Sequence, residues 1–262
     1  MGRAHCCRCK SYSPLLWKMC KMYVILYWKM WNLYIKPKQK VKQSEVIKNI
    51  SYNQTEILNN IWKLYLWTNQ FDCDITASTL NFYKDWIPLP KHLYDVYPQS
   101  EIVEKIEPRG SIPLEDSSIH SIVIDLPFVI APHTAPSMTT EQKEWSNIIL
   151  KRFSTYYPAK ELYDSYYHWL SEAYRVLDDG GICIFKCQST ISWWIRHNVE
   201  EYSFMCWEEV WFIMVDKFTL LAKSRLIGRV RQQKHSRSYT SQFLVFQKRK
   251  RRQNEIRYAT LF

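Results

Sequence analysis

Asp125-Leu126-Pro127-Phe128 follows the apolar run Ser121–Ile124, so a carboxylate, a proline and an aromatic ring leave the end of a strand together. Such an exit serves either as part of a site or as a turn that an aspartate closes. Two more apolar runs carry acids at or near their ends, with Asp72 and Asp74 in FDCD at 71–74 and Asp95 in HLYDV at 92–96. In open α/β sheets, ligands bind beyond the carboxyl ends of the strands, so these acids would share one ligand-facing rim. The plainer reading is helix N-capping by aspartate, which accounts for one or two of them.

The elements that must position these acids are legible from periodicity. Ser51–Trp67 places Ile57, Leu58, Ile61, Trp62, Leu64 and Tyr65 at helical spacing, with Asn53 or Thr55 as cap. Glu161–Leu177 gathers Leu162, Tyr166, Trp169, Leu170, Ala173, Val176 and Leu177 on one face, and Asp178-Asp179-Gly180-Gly181 follows as its expected close. The strand ICIFK (182–186), a helix over 196–209 and long β runs at 211–223 and 241–248 complete the order. Alternating strands and helices predict an α/β layered fold with a mainly parallel sheet, and the last two strands predict an antiparallel edge.

Charge divides the chain more sharply than its net of +11 suggests. Residues 1–42 carry ten Lys/Arg and no acid, 43–222 carry 14 basic and 24 acidic side chains, and 223–262 carry twelve basic side chains against Glu255. An acidic middle between basic ends points to a polyanionic partner, with solvated tails as the alternative. KPKQKVK (36–42) reads as a linker, giving a basic, aromatic extension over 1–42 and a main domain over 43–262. Lys18, Lys21 and Lys29 interrupt the apolar stretch Leu15–Ile35, so no membrane span is expected there. Eight cysteines form no convincing disulfide framework. His5, Cys6 and Cys9 lack a second ligand pair, and no metal site is assigned. Reduced thiols and the absence of an evident targeting signal favour the cytosol.

Asp125–Phe128 resembles the Asp-Pro-Pro-Phe/Tyr motif of amino-group DNA methyltransferases, which use S-adenosylmethionine. SEAYRVLDDGGICIFKCQ (171–188), FDCDITASTLNFYK (71–84) and RQQKHSRSYTSQFLVFQK (231–248) are similar to segments of phage and bacterial DNA-methylase-like proteins, in the same order. The resemblance covers roughly residues 44–248. It implies a class I methyltransferase fold, a seven-stranded Rossmann-like sheet with a reversed terminal hairpin. It also implies a cofactor pocket around Asp72, Asp74 and Thr76, with Asp95 on the ribose hydroxyls.

The implied chemistry is methylation of an exocyclic base amine, adenine N6 ahead of cytosine N4. The Asp125 carboxylate and the Leu126 carbonyl would accept the two amine hydrogens and free the nitrogen lone pair. Pro127 completes the motif, and Phe128 would stack on a flipped base. Cytosine C5 chemistry is disfavoured because no proline here precedes a cysteine. Lys151 and Arg152 in the long loop 129–158, with Arg229, Arg231, Lys234, His235 and Arg237 between the last two strands, would hold nucleic-acid phosphates. DNA is the expected partner, and two alternatives stand beside it: an RNA methyltransferase and a catalytically dead nucleic-acid-binding protein on the same fold.

Several residues depart from the family pattern. Leu126 stands in place of a proline, ITAST in place of a glycine-rich loop, and Ser189 in place of an acid. Trp193, Trp194 and Trp211 stand where small residues, often glycine, are usual. If those positions need positive φ, the tryptophans must adopt it under strain.

Overall fold

The computed structural model describes residues 46–66, 68, 70–84, 87–130, 155–192, 194–223, 235–236 and 238–249. The chain divides between Ile47 and Lys48, and only the second unit is described below. The basic extension over 1–42, with His5, Cys6 and Cys9, lies outside the described residues. So does the Leu15–Ile35 stretch; among the described residues no helix is long and apolar enough to cross a membrane.

Strands β1 (Ile50–Ser51), β2 (Cys73–Asp74), β3 (His92–Asp95), β4 (Glu104–Lys105) and β5 (Ile119–Ile124) occupy the first half, with helix α1 (Gln54–Tyr65) after β1. The second half runs β6 (Val129–Ile130), β7 (Thr155–Tyr156), α2 (Ala159–Val176), β8 (Leu177–Cys187), β9 (Thr190–Ser192) and β10 (Ile195–His197). Helix α3 (Val199–Val210), β11 (Phe212–Leu221) and β12 (Thr240–Lys248) follow. The main sheet has the order β1-β11-β12-β8-β5-β2-β3-β4. From β4 to β8 all neighbours are parallel. β12 runs antiparallel between β8 and β11, which is the reversed hairpin that the sequence led us to expect.

The sheet is mixed and has eight strands rather than seven. The extra one is β1, which pairs in parallel with the outer edge of β11. Two residues carry no alternation to read, and β1 takes Ser51 out of the expected helix. The helix starts instead at Gln54, where the Asn53 side chain accepts the Thr55 N–H at 2.9 Å.

Central strands are buried on both faces, as parallel strands covered on each side must be. Cys183, Phe185 and Cys187 of β8 join a core with Leu162, Tyr166 and Leu170 of α2 and Val199 and Cys206 of α3. Ile182, Ile184 and Lys186 alternate onto the opposite face. The described cysteines are unpaired thiols, all buried.

Asp178–Gly181 does not close a helix. Helix α2 ends at Val176, and Leu177 is already extended. Ile119 faces Leu177 while Ser121 faces Ile182, so β8 bulges outward through Asp178–Gly181. Gly180 takes φ +89 there, and a Cβ on Gly181 would lie 2.9 Å from Asp178 Oδ1. The glycines are needed by the bulge rather than by the helix end.

The expected strain at tryptophan is present. Trp211 closes α3 in the left-handed region at φ +75, its N–H bonded to the Trp207 and Glu208 carbonyls. Trp194 has φ +69; Trp193 lies outside the described residues.

Asp72 ties β2 to β5. Its Oδ2 accepts the His120 N–H, the Ser121 N–H and the Ser121 hydroxyl, each at 3.0 Å, and its Oδ1 accepts Lys91 Nζ at 2.6 Å. Burial alone raises its pKa, but the hydrogen bonds from Lys91, Ser121 and His120 outweigh burial and hold the carboxyl below its ordinary value. A depressed acid contributes stability that is present at neutral pH and lost as pH falls through roughly 4 and below. Asp72→Ala is therefore expected to cost about 3 kcal/mol in urea unfolding at pH 7, with a smaller deficit at acid pH. Asp72→Asn, which keeps one acceptor oxygen, should fall between the two.

Candidate functional site

The chain runs outward from β2 through β3 to β4, then returns to the other side of β2 and continues through β5 to β8. The carboxyl ends of β2 and β5 therefore flank the point where the strand order reverses, the place where doubly wound sheets bind ligands. Asp74 ends β2, Asp125 follows β5, and Asp95 ends the adjacent β3. Three of the four acids expected on one rim are brought together. Asp72 is not among them: it precedes β2 and bonds the amino-terminal part of β5.

Asp74 is sealed from solvent, and both its carboxyl oxygens accept hydrogen bonds. Oδ1 accepts the Thr76 N–H at 2.7 Å and the Thr76 hydroxyl at 3.0 Å, and Oδ2 accepts the Tyr83 hydroxyl at 2.6 Å. Burial pushes its pKa up to about 7, against those hydrogen bonds and with a contribution from the Asp95 charge. Tyr83 is pushed well above the usual tyrosine value by burial and by the charge of Asp74. Asp74 thus orders the segment after β2 from a position without solvent exposure.

Thr76 links the two central strands. Its hydroxyl, donating to Asp74, also accepts the Asp125 N–H at 2.8 Å. Asp95 holds the other end of the same segment, with Oδ2 accepting the Ser78 N–H at 2.9 Å and Oδ1 the Tyr97 N–H at 2.6 Å. Burial raises Asp95 to about 6, opposed by these two bonds. Ser78 and Leu80 adopt φ +39 and +58 in the stretch where the resembled family carries glycine. The backbone keeps the left-handed turns without the residue that makes them cheap.

At Asp125 the structure adds a residue that sequence reasoning did not assign. Lys186 Nζ donates to Asp125 Oδ2 at 2.8 Å, and the two side chains are 15% and 27% exposed. The ammonium also lies 5.0 Å from the Phe82 ring centre and 5.6 Å from that of Phe243. The signal was present in the neighbouring runs SIVID and ICIFK, one acid-tipped and one base-tipped. Their register, Ile124 opposite Phe185, makes the two tips neighbours.

Leu126 is 1% exposed and belongs to the core. The Pro127 carbonyl accepts the hydroxyl of buried Tyr166 at 3.2 Å, and half-buried Phe128 leads into β6. The long loop begins and ends in short strands, because β6 pairs in parallel with β7. Lys151, Arg152, Arg229, Arg231, Lys234 and Arg237 lie outside the described residues. His235 is described, and its ring lies 5.6 Å from that of Trp194. Among the described residues no group of three or more His, Cys, Asp or Glu is arranged to hold a metal ion.

No protein-family model matches the chain, and no curated protein matches it in sequence. Solved structures align with part of it. A candidate DNA modification methylase of Thermus thermophilus, complexed with S-adenosyl-L-methionine, is 11% identical at a TM-score of 0.32, over 55% of this chain and 53% of its own. A Haloferax volcanii complex of the Trm112 methyltransferase activator with a candidate methyltransferase aligns at a TM-score of 0.42 and 11% identity, over 78% and 92%. A candidate methyltransferase of Bacillus halodurans aligns at 0.35 and 13%, over 74% and 99%. The chain thus spans about half the length of the Thermus protein. At this level of similarity the site must be argued from its own geometry.

The raised acids fix a pH dependence. In the folded state Asp74 and Asp95 hold their protons to higher pH than in the unfolded chain, so the native form binds more protons between roughly pH 4 and 7. Stability should therefore fall as pH rises across that window. Asp74→Asn, uncharged at every pH, is expected to flatten the slope in urea melts taken at a series of pH values.

Proposed function

We propose that the chain is an S-adenosylmethionine-dependent methyltransferase acting on an exocyclic amino group of a DNA base, adenine N6 ahead of cytosine N4. The observation that carries this reading is Asp125. It is a partly exposed carboxylate at the strand-order reversal, fixed by Thr76 through its N–H and by Lys186 through Oδ2, with an aromatic ring three residues on.

The residues present fit the cofactor through Asp95 rather than Asp74. Each Asp95 oxygen accepts one backbone N–H, which leaves each a second acceptor direction for the paired hydroxyls of a ribose. Asp74 has no exposed atom to offer and acts by holding Thr76. Bound S-adenosylmethionine would supply an electrophilic methyl group. Asp125 Oδ1, which accepts no hydrogen bond among the described residues, and the Leu126 carbonyl would take the two amine hydrogens. That draws the nitrogen lone pair out of conjugation and leaves a carboxylate to receive the proton the nitrogen sheds. Phe128 would stack on the base. Lys186 keeps the carboxylate aimed, and positioning of this kind supplies much of the rate in such transfers. The same ion pair favours the second reading, a nucleic-acid-binding protein without catalysis, because a carboxylate already paired with an ammonium is a weaker acceptor for the proton the nitrogen sheds.

Transfer of labelled methyl from S-adenosylmethionine to DNA and RNA in parallel decides between them. Label on DNA is expected, reduced at least about a hundredfold in Asp125→Ala. Lys186→Met should lower kcat about tenfold with KM for DNA nearly unchanged, and Lys186→Arg should recover part of the loss. Equal labelling by Asp125→Ala would remove the assigned role, label on RNA alone would reassign the substrate, and label on neither polymer would leave the binding protein.

A further inference from the structure

Trp194 has no part in the site described above. It lies between β9 and β10, where Ser192 pairs with Ile195. Two-residue hairpin loops demand left-handed backbone and are best filled by asparagine or glycine. Trp194 takes φ +69 nonetheless, and it is 63% exposed beside Ile195 at 61%. A large ring kept largely solvent-facing at a left-handed turn carries backbone strain, and strain maintained in such places points to a use.

The surroundings indicate what that use is. The Ser192 hydroxyl donates to the Ile130 carbonyl at 2.9 Å, which ties the hairpin to the segment leaving Asp125–Phe128. His235, from the basic stretch between β11 and β12, lies against Trp194 at 5.6 Å and 46°. Arg196 is exposed on β10. The stretch that contributes His235 also holds Arg229, Arg231, Lys234 and Arg237 in sequence. Aromatic faces hold unpaired bases without regard to sequence while nearby cations follow the phosphates. A lipid surface would call for a broader apolar face than Ile191, Trp194 and Ile195 offer.

We propose that Trp194 is a stacking platform for an unpaired base of a nucleic-acid strand approaching Asp125, with His235 beside it and exposed Arg196 two residues on. This rests on the nucleic-acid reading of the site and adds a contact and a preference for single-stranded segments to it. Fluorescence anisotropy of a labelled single-stranded oligodeoxynucleotide, without methyl donor, tests it. Trp194→Ala is expected to weaken binding about tenfold, and Trp194→Phe to stay within about threefold of wild type. Trp194→Gly relaxes the turn and so should not lower stability, yet it should bind as poorly as Trp194→Ala. The salt dependence should be unchanged, since no charge is removed. Wild-type binding by the alanine and glycine variants would overturn the proposal. So would loss of binding to phosphatidylserine vesicles with oligonucleotide binding intact. Because no methyl donor is present, a negative result leaves methyl transfer by Asp125 standing, and failed methyl transfer leaves this contact standing.

Discussion

A carboxyl group with no access to water has to be satisfied within the protein, and at the end of β2 that requirement organises the whole rim. Asp74 draws in the Thr76 backbone, the Thr76 hydroxyl and the Tyr83 hydroxyl. Through Thr76 it reaches the Asp125 N–H, and so fixes the spacing between the two strands that flank the strand-order reversal. Asp95 holds the same segment from the other side through Ser78. One buried acid and one half-used acid thus do by hydrogen bonding what a glycine-rich turn does by conformational freedom. Burial pushes the pKa of Asp74 up to about 7, and the hydrogen bonds from Tyr83 and Thr76 oppose that rise, offsetting part of the cost of burying the group.

The scarcity of glycine runs through the described structure. Ser78, Leu80, Arg109, Ser117, Trp194 and Trp211 all hold positive φ, and among the described glycines only Gly180 does so. For residues with a Cβ this region costs about 1–2 kcal/mol each, so every such turn needs a local bond or packing to hold it. Ser117 has its N–H bonded to the Arg175 carbonyl, and Trp211 has two helix carbonyls. At Ser78, Ser117 and Trp211 a hydrogen bond from the residue's own N–H helps to hold the turn.

How far the sequence could be read follows from which signals are local. SIVID and ICIFK are apolar runs whose length and flanks announce buried strands, and the α2 face shows in its own spacing. Strain at Trp194 and Trp211 was readable because a bulky residue replaced a small one at a turn. Asp72 and Asp74 could not be told apart, because two residues on, a strand shows the same face, and only the observed bounds of β2 place one acid before the strand and the other at its tip. Lys186 was hidden because strand register is a property of two distant segments. Asp-Asp-Gly-Gly fits a helix end and a bulge equally well, and the pairing of β5 with β8 decides in favour of the bulge.

Leu126 is where the motif and the fold bear on each other most directly. A proline there would fix φ and help aim its carbonyl. Leucine cannot do this by ring closure, but its side chain is buried in the core, the residue before it is held at N–H and carboxylate, and the Pro127 carbonyl after it is bonded to Tyr166. The backbone around Leu126 is therefore constrained from both sides by tertiary contacts. Preorganisation of the Asp125 carboxylate passes to Thr76 and Lys186, two residues that no four-letter motif contains. An exit from the sheet that is irregular by pattern is thereby held from both sides by tertiary contacts.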